Sequence, residues 1–456
     1  MIKALRRTAS VAVTFIVVWT ALYFWWRSTW HQPSQRELIL CGIALPIALT
    51  VGIAVARALL QQRKTLPDAQ QHGAAATAST STTTAPPDAS QGLTAALIDS
   101  SVRVPAGATT AEVLIAAQAN RALGLHPDLE RPDGSGVFAG SVEALSLDRF
   151  DTELLVSAQH ETLRDEHWRA LALAADALDE LLERHAALSN PTPDTPPLKL
   201  HLLVPIRWQH EAATLAAWLE THAAQERVPP GLAQAQLHVI ANPVQGCMVV
   251  DEVIQALHLL PGSEPHVVLA FDSCATQQAV NVLAREGRLY GHDRPDGEVP
   301  GEGACALLLA RPDTPLAMQA PRLHRLVAAQ HVPDGATKST LDHVLEKARA
   351  QFAPLYPGNA PYGLISDADQ RNATRSEIVT IAERTWQDEA PARSSHLGLA
   401  NGASGTALAL VTLAVAAQRA NDTCQPIFAA TLSDPLARAA ILVAPGVLAT
   451  PVPDTA

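Results

Sequence analysis

HVVLAFDSCATQQAVNVLAREGRLYGHDRPDGEVPGEGACALLLAR, running from His266 to Arg311, is the stretch on which the reading of the fold depends. It opens on a buried-strand pattern, His266–Phe271, and continues as a helix-like run to about Arg288. A polar loop from Gly291 to Pro300 then leads into a second apolar run, Cys305–Ala310. Pro295-Asp296-Gly297 is turn chemistry, and glycines at 301 and 303 let two backbone segments approach closely.

On either side the same alternation continues. Upstream, a helical pattern spans Glu153–Leu188, with Leu171, Leu178, Leu181 and Leu182 at helical spacings, and a Pro-rich connector breaks it. A strand at Leu198–Pro205, a helix at Glu211–Ala224, a strand at Gln236–Ala241 and a helix at Val249–Leu260 follow. Downstream, strands are expected near Leu323–Ala329, at Tyr362–Ser366, Ile427–Leu432 and Ala439–Val443. Helices are expected at Ser339–Phe352, Ser376–Trp386 and Thr406–Arg419. Strands alternating with helices predict an α/β layered architecture.

The N-terminus has a different character. Residues 8–26 carry no charge and end in Tyr23-Phe24-Trp25-Trp26; a second uncharged run follows at 38–56. Nineteen residues in a helix span roughly 28 Å, close to a bilayer core. A cleaved signal peptide is the competing reading of the first run. That run exceeds the roughly 7–15 residues of a signal core, no Ala-x-Ala site follows it, and a second span comes at once. Lys3, Arg6 and Arg7 precede the pair, Arg57, Arg63 and Lys64 follow it, and only Arg27 and Arg36 lie between. The positive-inside rule then puts both ends in the cytoplasm. Residues 1–64 are expected to be a two-helix transmembrane anchor in the inner (cytoplasmic) membrane, with the C-terminal domain in the cytoplasm. Residues 65–92, rich in Ala, Thr, Ser, Pro and Gln, lack the apolar side chains needed to offset chain entropy and are expected to be a flexible linker.

Composition narrows the function. A formal net charge of −12 argues against nucleic acid, since a phosphate binder needs a basic face. The five cysteines are odd in number, widely spaced and without metal-ligand spacing, so neither a disulfide framework nor a metal is expected. Nothing in the sequence calls for a cofactor.

The opening stretch resembles the middle of the β-ketoacyl synthases, condensing enzymes of the thiolase superfamily. Asp296-Gly297-Glu298-Val299-Pro300-Gly301-Glu302-Gly303-Ala304 is similar to that family's Asp-Gly-Phe-Val-x-Gly-Glu-Gly-Ala loop, with Glu298 in place of the aromatic. The resemblance implies a thiolase-like duplicated five-layered core, with residues 93–315 as the first half and 316–456 as the second. It also implies a homodimer formed by pairing first-half sheets edge to edge.

The family's chemistry uses a cysteine at a helix N-terminus and two histidines on second-half loops. By position the resemblance assigns the cysteine to Cys247, although Met248, Val249 and Val250 replace the usual small neighbours. Cys274, in Ser273-Cys274-Ala275-Thr276, falls on the wrong side of its strand for that role. Ser366 stands where the first histidine belongs. The Gly-His-x-x-Gly-Ala-Ala-Gly run reads Gly398-Leu399-Ala400-Asn401-Gly402-Ala403-Ser404-Gly405, so Leu399 replaces the second. His396 lies three residues earlier, and the supporting lysine position is Ser394. The glycine-rich loop between the last two strands becomes Ser433-Asp434-Pro435-Leu436-Ala437.

These replacements predict a catalytically inactive scaffold or interaction module, anchored at a membrane within a bacterial assembly such as a secretion system. The alternative is an active acyltransferase of the 3-oxoacyl-synthase type using Cys247 with His396, Asp367 or Asp369 as base. A third possibility is a non-catalytic binder of an acyl chain or an acyl carrier protein.

Overall fold

The structure is a computed structural model. It describes residues 92–446 apart from 144, 146, 148–162, 190–196, 227–231, 233–234, 260–263, 332–338 and 359. Both expected membrane spans and all of the linker except Gly92 lie outside the described residues. Among the described residues, no helix is long and apolar enough to cross a membrane.

The first half contains strands β1 (Thr94–Arg103), the small hairpin β2 (Leu125–Glu130) and β3 (Gly136–Phe138), β4 (Lys199–Pro205), β5 (Gln236–Ile240), β6 (His266–Ser273) and β7 (Glu302–Ala310). Its helices are α1 (Thr110–Gln118), α2 (Asp165–Ser189), α3 (Ala212–Glu226), α4 (Pro243–Leu259) and α5 (Gln277–Arg285). The second half contains β8 (Arg322–His324), β9 (Val327–Gln330), β10 (Gly363–Ser366), β11 (Ser394–His396), β12 (Ile427–Thr431) and β13 (Ala437–Ala444). Its helices are α6 (Thr340–Phe352), α7 (Asn372–Trp386), the short α8 (Ala390–Arg393) and α9 (Gly398–Asn401), and α10 (Gly405–Thr423).

Internal duplication is visible in the strand order. The first half runs β5-β4-β6-β7-β1 across the sheet and the second runs β11-β10-β12-β13-β8. Numbered by appearance within its half, each order is 3-2-4-5-1. In both, the fifth strand is antiparallel to its neighbours while the second, third and fourth run parallel. An antiparallel seam between β1 and β8 joins the two into one sheet path.

Side-chain alternation builds the layers. Val267, Leu269 and Phe271 of β6 pack with α2 and α3, whereas Val268 and Ala270 face the opposite way, towards α4 and α10. In β12, Phe428 and Ala430 pack with α6 and α7, while Ile427 and Ala429 join the same central cluster as α4 and α10. The result is helix, sheet, helix, sheet, helix. The middle layer is tight: a Cβ at Gly246 of α4 would overlap Thr406 Cγ2 of α10.

One expectation needs correcting, and one strand goes unanticipated. The helix expected from Val249 begins at Pro243, which suits a first helical position; Asn242 Oδ1 accepts from Gln245 N at 3.0 Å and so caps it. Strand β1 is not evident from the sequence, because Asp99-Ser100-Ser101 interrupts its apolar run and a bulge sits between Leu97 and Asp99. The side chains of Asp99 and Ser101 are satisfied by α2. Arg184 pairs with Asp99 at 2.8 Å, and Ser101 Oγ donates to Glu180 at 2.6 Å.

Candidate functional site

A cavity of about 530 Å³ opens where chain segments leave the ends of β4, β5, β6, β10 and β12, the usual place for a site in a layered α/β fold. Its walls include Arg207, Asp272, Cys274, Asp367, Asp369 and Arg371. The N-terminal residues of α4 and α10 close it: Asn242 and Pro243 from one, Ser404 to Thr406 from the other.

The Gly-Glu-Gly-Ala loop is the frame. Glu302 is fully buried and accepts from Arg169 at 2.8 and 2.5 Å, from Ser273 Oγ at 2.9 Å and from Val142 N at 2.8 Å. One carboxylate thus ties α2, β6 and β7 together. Gly301 packs against the backbone of Asn401, where any Cβ would overlap the carbonyl oxygen. Ala403 N donates to Val299 O at 2.8 Å, which carries the loop onto the second half.

Two ion pairs line part of the cavity, beside apolar side chains such as Ile206, Ile240, Leu283 and Leu408. Arg207 leaves β4 in a single 3-10 turn, forks onto Asp272 and donates to Ser273 O at 3.2 Å. Burial works against its charge, yet Asp272 holds the guanidinium above its ordinary value. Arg371 pairs with Asp369 at 2.8 Å and reaches Ser433 O at 2.8 Å. Asp367 is fully buried; its Oδ1 accepts from Leu432 N at 2.6 Å and its Oδ2 from Ser433 Oγ at 2.6 Å. Burial raises its carboxyl above the usual range despite those bonds. These residues fasten the glycine-free turn at 433–437.

The expected site residues fall in different places. Cys247 lies in the second turn of α4 rather than ahead of the helix. It is 3 % exposed, with its thiol 3.6 Å from Thr431 Oγ1. Burial pushes that thiol up to about 12. Cys274, expected to face away, lines the cavity. β6 ends at Ser273, so strand alternation no longer dictates its direction, and its amide donates to Gly301 O at 2.8 Å. Burial pushes its thiol up to about 12 as well, against the pull of Arg207.

Ser366 and His396 are brought together, with Oγ and Nδ1 3.0 Å apart across paired strands. Burial holds His396 down to about 4, with Arg375 adding to the effect, so its ring is neutral near pH 7. Leu399 lies on α9, half-buried. Among the described residues, no group of three or more His, Cys, Asp or Glu side chains is arranged to hold a metal.

Solved structures with this architecture include ketosynthases. The ishigamide ketosynthase/chain length factor superposes with a TM-score of 0.52 at 15% identity, covering 78% of this chain and 100% of that one. The oxazolomycin ketosynthase domain OzmH KS7 of Streptomyces albus JA3453 gives 0.53 at 14% identity, covering 79% and 75%. The ketosynthase from module 6 of the bacillaene synthase of Bacillus subtilis 168 gives 0.54 at 12% identity, covering 77% and 72%. The fold is ketosynthase-like. No protein-family model and no curated protein matches the sequence. In this ketosynthase fold, Arg207, Asp272 and Arg371 are cavity residues that sequence reasoning passed over. For Arg207 and Asp272 the available signal is a charged residue at the end of an apolar run, a position that more often marks a solvated strand end.

Proposed function

We propose that this chain is a ketosynthase-fold protein that does not condense acyl groups. It serves as an interaction platform for a bacterial assembly, held at the cytoplasmic face of the inner membrane by the apolar runs 8–26 and 38–56. The observation that carries this reading is the set of paired charges on one part of the cavity wall. Arg207–Asp272 and Arg371–Asp369 occupy its walls with buried Asp367. An acyl chain placed against that part of the wall would strip water from charged groups without replacing their hydrogen bonds.

The ionisable groups point the same way. A thiol at about 12 is thiolate in roughly one molecule in 10⁵ at neutral pH. Ser366 and Leu399 supply neither a cation nor a general base. Loss of a proton donor or oxyanion partner removes catalytic contributions of several kcal/mol each.

Homodimer formation is supported by the exposed Leu237 and Val239 on the edge strand β5. An acyl carrier protein remains a candidate partner: a further solved neighbour, at 11% identity, is a type II polyketide acyl carrier protein in complex with its ketosynthase. The competing enzyme reading draws support from Cys274, a thiol on the cavity wall beside Arg207.

Intact-mass measurement after incubation with acyl-CoA and acyl-carrier thioesters separates these readings. The chain is expected to stay unmodified. An acyl adduct that disappears in Cys247→Ala or Cys274→Ala would overturn the platform. For topology, a cysteine introduced in the 65–92 segment should resist an impermeant thiol reagent in intact cells; labelling there would place the domain on the other side of the membrane.

A further inference from the structure

Three histidines form a ladder across the first-half sheet. His238 of β5, His201 of β4 and His266 of β6 lie on adjacent parallel strands. Their rings stack at interplanar angles of 25° and 14°. His201 Nδ1 is 3.1 Å from His238 Nε2, and His201 Nε2 is 2.9 Å from His266 Nδ1. All three share the face that carries Ile240, Leu203 and Val268, two residues further along each strand, and so sit away from the cavity end of the sheet. His238 belongs to the edge strand and is half-exposed, whereas His201 and His266 are buried. His266 Nε2 is buried and makes no hydrogen bond.

Counting protons decides what this arrangement can tolerate. Three neutral imidazoles hold three protons on six nitrogens. Each N···N contact accommodates one proton and no more. Two protons therefore fill the two bridges, and the third goes to a terminal nitrogen. His238 Nδ1, at the outer end, is the cheaper place, because an N–H on His266 Nε2 would be buried without an acceptor. A fourth proton has no comfortable position. With both bridges kept, it must land on His266 Nε2 whichever ring bears the charge; otherwise a bridge breaks. The outer bridge is the weaker one, since His238 alone can swing to water.

We infer that the His238–His201–His266 ladder is an acid-triggered latch on the edge strand β5: uptake of one proton breaks the outer bridge and loosens that strand from the sheet. The surrounding charges are few. Lys199 of β4 faces His201 and His266 and opposes protonation; Glu264, ahead of β6, favours it at His266, and Glu252 of α4 favours it at His238. Burial holds His201 down to about 3 and His266 to about 4, so both are neutral in the closed latch. Nothing in this inference depends on the chemistry of the cavity.

Hydrogen exchange on the full chain, read by mass spectrometry, tests it. Slow exchange at the histidine ring carbons follows each imidazole's titration, while amide exchange follows residues 236–240. After correction for intrinsic rates, β5 protection is expected to fall roughly tenfold between about pH 7 and about pH 5, with β12 protection unchanged. His238→Gln should abolish that pH dependence. The inference fails if β5 protection does not change, if β5 and β12 lose protection together, or if the dependence survives in His238→Gln. Should that variant not fold, the wild-type rings decide alone. One shared proton uptake supports the latch, and three independent titrations at the ordinary histidine value overturn it.

Discussion

Arg438 is 2 % exposed within β13 and is kept there by its partners. Its Nε donates to Glu377 at 2.9 Å, and its Nη1 reaches the carbonyl oxygens of Leu432, Asp434 and Ala437 at 3.3, 2.6 and 2.9 Å. It therefore braces the 433–437 turn from beneath, while Asp367 and Arg371 hold it from the cavity side. Arg438→Met leaves Glu377 buried without its counter-charge, held only by the Leu341 amide, and should cost roughly 3–5 kcal/mol in urea unfolding. An apolar pair at both positions should cost clearly less than the two single changes added together; simple additivity would deny the coupling. Glu377 falls inside the helix expected at Ser376–Trp386, but nothing in the sequence marks Arg438 as its partner. An arginine after a Pro-containing turn reads as exposed, and only the facing carboxylate makes its burial tolerable.

Among elements, the central helices α4 and α10 set the geometry of the site. Gly246 permits their crossing at Thr406, so a methyl group there forces them apart. Gly246→Ala should lower stability by roughly 1–3 kcal/mol from overpacking, despite the gain of up to about 1 kcal/mol that Ala brings to a helix interior. Thr406→Ser, which removes the offending Cγ2, should recover part of that loss in thermal unfolding. Strongly periodic elements such as α2 and β7 are plain in the sequence. β1 is not, since its polar centre is satisfied only by Arg184 and Glu180 of a helix more than seventy residues away. Strand-helix spacing puts Cys247 close to the start of α4, yet placing it ahead of the helix overlooks the Asn242-Pro243 start signal. The strand order repeated in both halves follows from pairing between distant segments, which hydropathy does not record.

For the molecule as a whole, buried neutral histidines predict acid sensitivity. Burial holds His167 and His266 to about 4 and His201 and His324 to about 3, whereas an unfolded chain protonates them near 6.5. The unfolded state therefore takes up more protons as pH falls. Stability is full above about pH 6.5 and declines below it, by at most about 1.4 kcal/mol per pH unit for each group. The melting temperature should drop steadily between about pH 7 and about pH 5, and a flat profile would contradict neutral burial. A mechanical consequence follows from the position of β1. The chain enters the fold at Thr94 on a strand hydrogen-bonded on both sides, to β7 and to β8. Traction arriving along the preceding residues thus loads two antiparallel ladders in shear, and many bonds must yield together where a peripheral strand would peel away one bond at a time.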